Sequence, residues 1–180
     1  ARADACGGVG GDGDFRDDKF TQTTWSEVGG RKLQGRTFVI ATGPRPAVPP
    51  IPGIDHVPYL TNETVFGLRG QVPSLIVIGA GPIGCEMAQA FVRLGSKVAV
   101  VDMSAQIMPR EDADLSRIVQ NQMTHDGIDF VLDAAILRVE GSNHDIRMFV
   151  RRKDGTEREL RATHLLVAAG RRANVEGRGT

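Results

Sequence analysis

Two cysteines in 180 residues, Cys6 and Cys85, are too few and too far apart for a disulfide framework or for a metal site of the usual short spacing. The four histidines, His56, His125, His144 and His164, are equally scattered, so no metal ligands are expected. Net charge is also lacking. With 22 basic and 22 acidic residues, nothing electrostatic points to nucleic acid or an anionic membrane as partner. Apolar blocks are strand-sized and soon broken by Gly or a charged residue, so no membrane segment is expected. These absences leave a cytoplasmic protein with a small-molecule ligand as the expectation. The sequence begins Ala1-Arg2 without an initiator Met, so the lack of a signal peptide excludes little.

What is present is ordered. Around Gly29-Gly30, "TTWSEV" and "RKLQGRTFVIATG" read as two β-prone runs joined by a hairpin turn. The segment Gly43 to Gly53 holds five of the nine prolines and is expected to be an extended, exposed crossing between domains. "TNETVFGL" then predicts a short helix capped by Thr61 or Asn62. From Pro73 on, strand and helix alternate. "SLIVIGAG" is a buried strand, and Ile83, Met87, Phe91 and Leu94 predict one apolar face of a helix that Gly95 stops. "KVAVVD" is a second strand. A second helix follows, with acids in its opening turn and an apolar face of Leu115, Ile118, Val119 and Met123, and it leads to "IDFVL".

The period then changes to two. "AAILRVEG", "DIRMFVRRKDGTERELRA" and "THLLVAAG" predict three antiparallel strands, turned at Asp154-Gly155, and a closing buried parallel strand. The basic cluster Arg151, Arg152, Lys153, Arg158 and Arg161 is interleaved with Asp154, Glu157 and Glu159, which reads as the solvated face of that hairpin. The fold class is therefore α/β: a doubly wound, Rossmann-type parallel sheet with an inserted three-stranded antiparallel β-meander.

The glycine loop carries the chemistry. Gly79-Ala80-Gly81-Pro82-Ile83-Gly84 follows a continuous apolar strand and opens a helix, the context that separates a dinucleotide loop from a chance glycine turn. Gly79 suits the tight turn, Gly81 lets backbone approach a pyrophosphate, and Gly84 lets helix pack on sheet. Asp102 ends the second strand, where a carboxylate accepts from adenosine ribose hydroxyls and repels a 2′-phosphate.

On these motifs, together with "FVIATGPRP", "PPIPG", "TNETVFGL", "VVDMSAQIMPRED" and "LLVAAGRRAN", the sequence from about Gly29 to Gly177 resembles the FAD-dependent pyridine nucleotide-disulfide oxidoreductases. The resemblance implies that Ala41, Thr42 and Gly43 close a flavin domain and touch FAD. It also implies that Glu86 lies near the nicotinamide end of a bound NAD and that Ile136 and Gly170 border it. Positions that are basic in NADP-using members correspond to Met103 and Pro109, which favours NAD, while Arg110 keeps NADP possible. An upstream flavin loop, a Cys-x4-Cys redox pair and a C-terminal interface domain are implied for such enzymes and are absent from this sequence. Cys85, inside the loop, reads as a small packed residue.

The expectation is a remnant of an FAD domain with its linker over residues 1–50 and an NAD(P)-binding domain over 51–180. It belongs to a parent homodimer that passes hydride from NADH to FAD. No residue here is given a catalytic role, and the isolated chain is not expected to complete a cycle. A non-catalytic NAD(H)-sensing Rossmann module is the alternative; it has no need of "FVIATG" or of the antiparallel insertion.

Overall fold

A computed structural model of the protein describes residues 18–22 and 24–175. Cys6, one of the two cysteines, lies outside them. The chain divides into two compact units, one built from residues up to Arg45 and from Ala173 on, the other spanning Pro46–Arg172.

In the first unit, strands β1 (Asp18–Gln22), β2 (Trp25–Val28) and β3 (Arg31–Gln34) form an antiparallel sheet in that order. Gly29 and Gly30 turn the β2–β3 hairpin at φ 54° and 80°, a pair of left-handed values that residues with a Cβ resist. The β-prone run after this turn ends early, at Gln34. Residues 37–43 join no ladder among the described residues, and Val39 is 88% exposed. Apolar, β-branched character does not make a strand by itself, because the backbone groups need a partner edge. Short strands β4 (Pro44–Pro46) and β12 (Arg171–Ala173) form a two-stranded sheet.

The second unit is built on a parallel sheet of β5 (Ser74–Ile78), β6 (Lys97–Val101), β7 (Asp129–Val131) and β11 (His164–Val167), in the order β11-β5-β6-β7. Consecutive β5, β6 and β7 lie side by side and β11 returns to the far side of β5, which creates the switch in strand order where ligands of such sheets bind. Period-two alternation along β5 sends Leu75 and Val77 to one face, Ile76 and Ile78 to the other, and each face has its own core.

Helices α1 (Pro82–Arg93) and α2 (Ala113–His125) supply residues to the Leu75 face. The opposite face is covered by the antiparallel meander β8 (Ala134–Ser142), β9 (Asp145–Arg152) and β10 (Glu157–Ala162), through Val139, Ile146, Met148, Val150 and Leu160. The fold class is as read from the sequence, with the meander standing where a doubly wound sheet has its second helical layer. The turn at Asp154-Gly155 is closed by Gly155 N–H donating to Arg152 O at 2.9 Å and Thr156 N–H donating to Asp154 Oδ1 at 2.8 Å. The charged hairpin is solvated, with Arg158 paired to Asp129 and Arg161 to Glu159.

Four local expectations need correcting. On α1, Met87 and Phe91 pack partly buried against the core as expected, but the buried residues are Gly84, Cys85 and Ala88, whose small side chains let the helix approach the sheet, and Leu94 is 79% exposed. On α2 only Ser116 and Met123 are buried, and Leu115, Ile118 and Val119 face outward. "TNETVFGL" forms only a 3-10 turn, Val65–Gly67, preceded by a reciprocal cap in which Thr64 N–H donates to Thr61 Oγ1 and Thr61 N–H donates to Thr64 Oγ1. Finally, the proline segment is not exposed throughout. Ile51 is buried beneath the meander, where Ile54 and Val57 just past the segment join it, and Val139 N–H donates to Pro52 O at 2.9 Å.

Candidate functional site

The second unit brings most of the predicted site residues to one edge of the parallel sheet. Gly79 to Gly84 leave the C-terminal end of β5, Asp102 leaves β6, Gly170 follows β11, and Ile136 lies early in β8, just past the end of β7. Ala41, Thr42 and Gly43 belong to the other unit. There Thr42 Oγ1 donates to Asn174 O at 2.5 Å, and Asn174 returns bonds from its amide and backbone to Thr42 O and Gly43 O.

The three loop glycines have different reasons for being glycine. Gly79, at φ 104°, would place a Cβ 2.6 Å from Ala168 O. At Gly84 a Cβ would stand 1.9 Å from Gly79 O, so the first turn of α1 lies directly on the loop. Both are demanded by the fold. Gly81 is not. Its backbone is extended, at φ −71° and ψ 179°, and a Cβ there meets nothing within 4 Å. The open space lies at the start of α1, where helix geometry leaves the N–H groups of Gly81, Ile83 and Gly84 without intrahelical partners and Pro82 has none to offer.

Charge is arranged to suit an anion at this place. No acid occupies the first turn of α1, so the positive end of its dipole is uncompensated by the helix itself. Glu86 lies beyond that first turn and is exposed on α1. Asp102 is held by two backbone donors that the sequence did not reveal. Ala80 N–H donates to Oδ2 at 2.6 Å and Ser104 N–H donates to Oδ1 at 2.7 Å. A carboxylate has about four lone-pair positions, so two remain for other donors. The Asp-x-Ser spacing is the signal for the second bond, since Asp side chains commonly accept from the N–H two residues on.

A loop after β6 completes the site. Ile107 is fully buried, and Met108, at φ 46°, donates its N–H to Ala80 O at 2.7 Å. Cys85 Sγ donates to the same carbonyl at 3.4 Å. Burial, then the nearby carboxylates of Asp102 and Glu86, push the Cys85 thiol up to about 11, so it is a packed thiol. Met103, 80% exposed, follows Asp102 directly.

The residues fit a dinucleotide: free N–H groups at a helix start, a glycine whose missing side chain leaves room, and an acid one strand away with acceptor capacity to spare. Among the described residues no group of three or more His, Cys, Asp or Glu is arranged to hold a metal ion, and no helix is long and apolar enough to cross a membrane.

Known proteins share this fold. The family model described as pyridine nucleotide-disulphide oxidoreductase matches residues 10–180. A mercuric reductase of Lysinibacillus sphaericus is 35% identical over 158 residues, covering 88% of this chain and 29% of the relative. A dihydrolipoyl dehydrogenase of Acholeplasma laidlawii is 30% identical, covering 83% of this chain and 44% of the relative. Among solved structures, the HOCl-induced flavoprotein disulfide reductase RclA from Escherichia coli superposes with a TM-score of 0.71 at 29% identity, over 88% of this chain and 36% of that one. The chain thus spans less than half the length of these relatives.

Proposed function

The chain belongs to the pyridine nucleotide-disulphide oxidoreductases, and from that premise we propose that it supplies the NADH-binding portion of an enzyme that passes hydride to FAD and on to an acceptor. Gly81 carries the proposal. A glycine required neither by its backbone angles nor by its neighbours, at the mouth of a helix N-terminus, is explained by a ligand that approaches the backbone too closely for a Cβ. When bound, the dinucleotide supplies a hydride from its nicotinamide ring, and FAD in the parent enzyme accepts it.

The residues of this chain bind and orient. Gly81, Ile83 and Gly84 direct N–H groups at the pyrophosphate, helped by the α1 dipole. Asp102 accepts from the ribose hydroxyls while its bond to Ala80 N–H keeps loop and acid in one register. Its negative charge, with uncharged Met103 and Pro109 after it, favours NADH over NADPH. Glu86 and Gly170 border the nicotinamide half, Ile136 borders the bound cofactor, and Ala41, Thr42 and Gly43 serve the flavin side. The division of labour is an FAD-domain remnant up to about residue 50 and an NAD domain beyond it, in an enzyme that works as a homodimer.

The test is Gly81→Ala. Because the added methyl meets no protein atom, the thermal midpoint is expected to move by only a few degrees, as for a change of about 1 kcal/mol or less. NADH affinity, read by fluorescence titration, is expected to fall by about tenfold or more. Saturable NADH binding that survives the substitution unchanged overturns the assignment, and tighter binding of NADPH by the unsubstituted chain overturns the role of Asp102.

A further inference from the structure

The antiparallel meander is remote in sequence from the glycine loop, yet a series of backbone hydrogen bonds runs from it to Asp102. The first link is in the β9–β10 turn. Gly155 N–H donates to Arg152 O, neither Lys153 nor Asp154 has a positive φ, and Gly155 follows at φ 86°, so this is a type I turn with Lys153 at its second position. Lys153 N–H leaves the turn and donates to Asp133 O at 2.9 Å. The bond extends the β8–β9 ladder, in which Ala134 lies opposite Arg152, by one step beyond the strands.

Asp133 is the second link. It stands between β7 and β8 at φ 51°, a left-handed value that Asp tolerates better than most residues with a Cβ. Its carbonyl continues the ladder of the meander, while its N–H turns the other way and donates to Ser104 O at 3.0 Å. Ser104 N–H in turn donates to Asp102 Oδ1 at 2.7 Å. The backbone of the acid is pinned from the same corner, since Asp102 N–H donates to Val131 O at 3.2 Å and Ala134 N–H donates to Asp102 O at 3.1 Å. Residues 102–104 are thus gripped from the meander, and the carboxylate is gripped again by Ala80 N–H of the glycine loop. The side chains of Asp133, Lys153 and Asp154 are exposed, so main-chain bonds rather than apolar burial hold the turn to this corner.

We propose that the meander braces the acid of the dinucleotide site: Lys153 N–H and the backbone of Asp133 form a clamp that fixes Asp102 to Ser104 and holds the carboxylate in place before the nucleotide arrives. An acceptor fixed in advance loses less freedom when it binds. Lys153 and Asp133 are positioning residues that act through their main chain. The inference rests on the NADH-binding reading and gives the inserted meander a part in it.

Lys153→Pro cuts the clamp at a single atom. Proline suits the second position of a type I turn and removes the N–H, and Arg152 before it is already in a strand, as a residue preceding proline prefers. The comparison is made against Lys153→Ala, which keeps the N–H, so that loss of the side-chain charge cancels. Without nucleotide, amide exchange at Asp133 and Ser104 is expected to be at least about threefold faster in Lys153→Pro. In fluorescence titrations NADH is expected to bind about threefold or more weakly, with a smaller preference over NADPH; a merely structural role leaves that preference unmoved. Unchanged exchange, or unchanged affinity and preference, overturns the proposal. A second measurement needs no substitution. In the wild type, saturating NADH is expected to slow amide exchange at Asp133 and Lys153 as well as at Ser104, and slowing that stops at Ser104 overturns the clamp. A wild type that binds no NADH overturns the binding reading instead, and the exchange comparison without nucleotide still decides whether the clamp holds the loop.

Discussion

Gly84 and Cys85 sit side by side at the start of α1 and illustrate how little room the loop leaves. A Cβ at Gly84 meets the backbone carbonyl of Gly79, and neither atom can swing away as a flexible side chain would. Gly84→Ala is therefore expected to destabilise the chain by about 2–4 kcal/mol, measured by urea denaturation, whereas Gly81→Ala is nearly silent in the same assay. Two glycines of one motif thus separate into one that the packing requires and one that it does not. Cys85 makes the second case. Its thiol is pushed up to about 11 and is buried, so the thiolate is scarce at neutral pH. In a Cys6→Ser background, where Cys85 is the remaining thiol, alkylation by iodoacetamide at pH 7–8 is expected to be at least about tenfold slower than in urea. Equal rates would show that the loop opens readily.

Helices α1 and α2 are tied by one carboxylate. Asp126, at the end of α2, accepts from Gln89 at 3.0 Å and from Arg93 at 3.3 Å on α1, and from Gln122 at 2.8 Å on its own helix. These partners, Gln122 first and then Gln89, hold its pKa below the ordinary carboxylate value of 3.8. A depressed folded-state pKa means a stabilising contribution that is complete above the unfolded value and lost as pH falls through the folded one. The urea midpoints of the wild type and Asp126→Asn are thus expected to differ by a constant amount at neutral pH and to converge as the pH falls below the ordinary carboxylate value and through the lower folded-state one. A difference that persists unchanged into acid would remove the carboxylate from this role.

The same two helices show where periodicity misleads. Spacing located both helices correctly, but Leu115, Ile118 and Val119 satisfy the apolar pattern while facing outward, because α2 touches the rest of its unit through Ser116 and Met123 alone among its buried residues. Helical spacing states which residues share a face and not whether another surface covers it. "FVIATG" is the strand counterpart, since a β-prone run becomes a strand only when a partner edge is present.

At the scale of the whole molecule, the two units have different contents. The unit spanning Pro46–Arg172 holds the glycine loop, Asp102 and both cores, while the segment Ala41 to Gly43 belongs to the other. The proposed division of function gives a direct expectation: the purified chain binds NADH but does not oxidise it when an acceptor dye is added, followed by the absorbance of the reduced nicotinamide. Turnover by the chain alone would show that it carries a complete catalytic set.

The order of elements, the hairpin turns and the glycine loop with its neighbouring acid are local properties, written in glycine positions, apolar period and spacing, so the sequence by itself determined them. Gly79, Gly81 and Gly84 could be identified as a motif in the same way. Which of them the fold needs and which it does not was decided only by the carbonyls of Ala168 and Gly79, brought close by strand order and helix packing. The bonds from Ala80 to Asp102 and from Lys153 to Asp133 likewise arise from contacts across 22 and 20 residues of chain, which no local pattern records. Local spacing constrains neighbours along the backbone; only the closed sheet, with its meander on one face and helices on the other, sets neighbours in space.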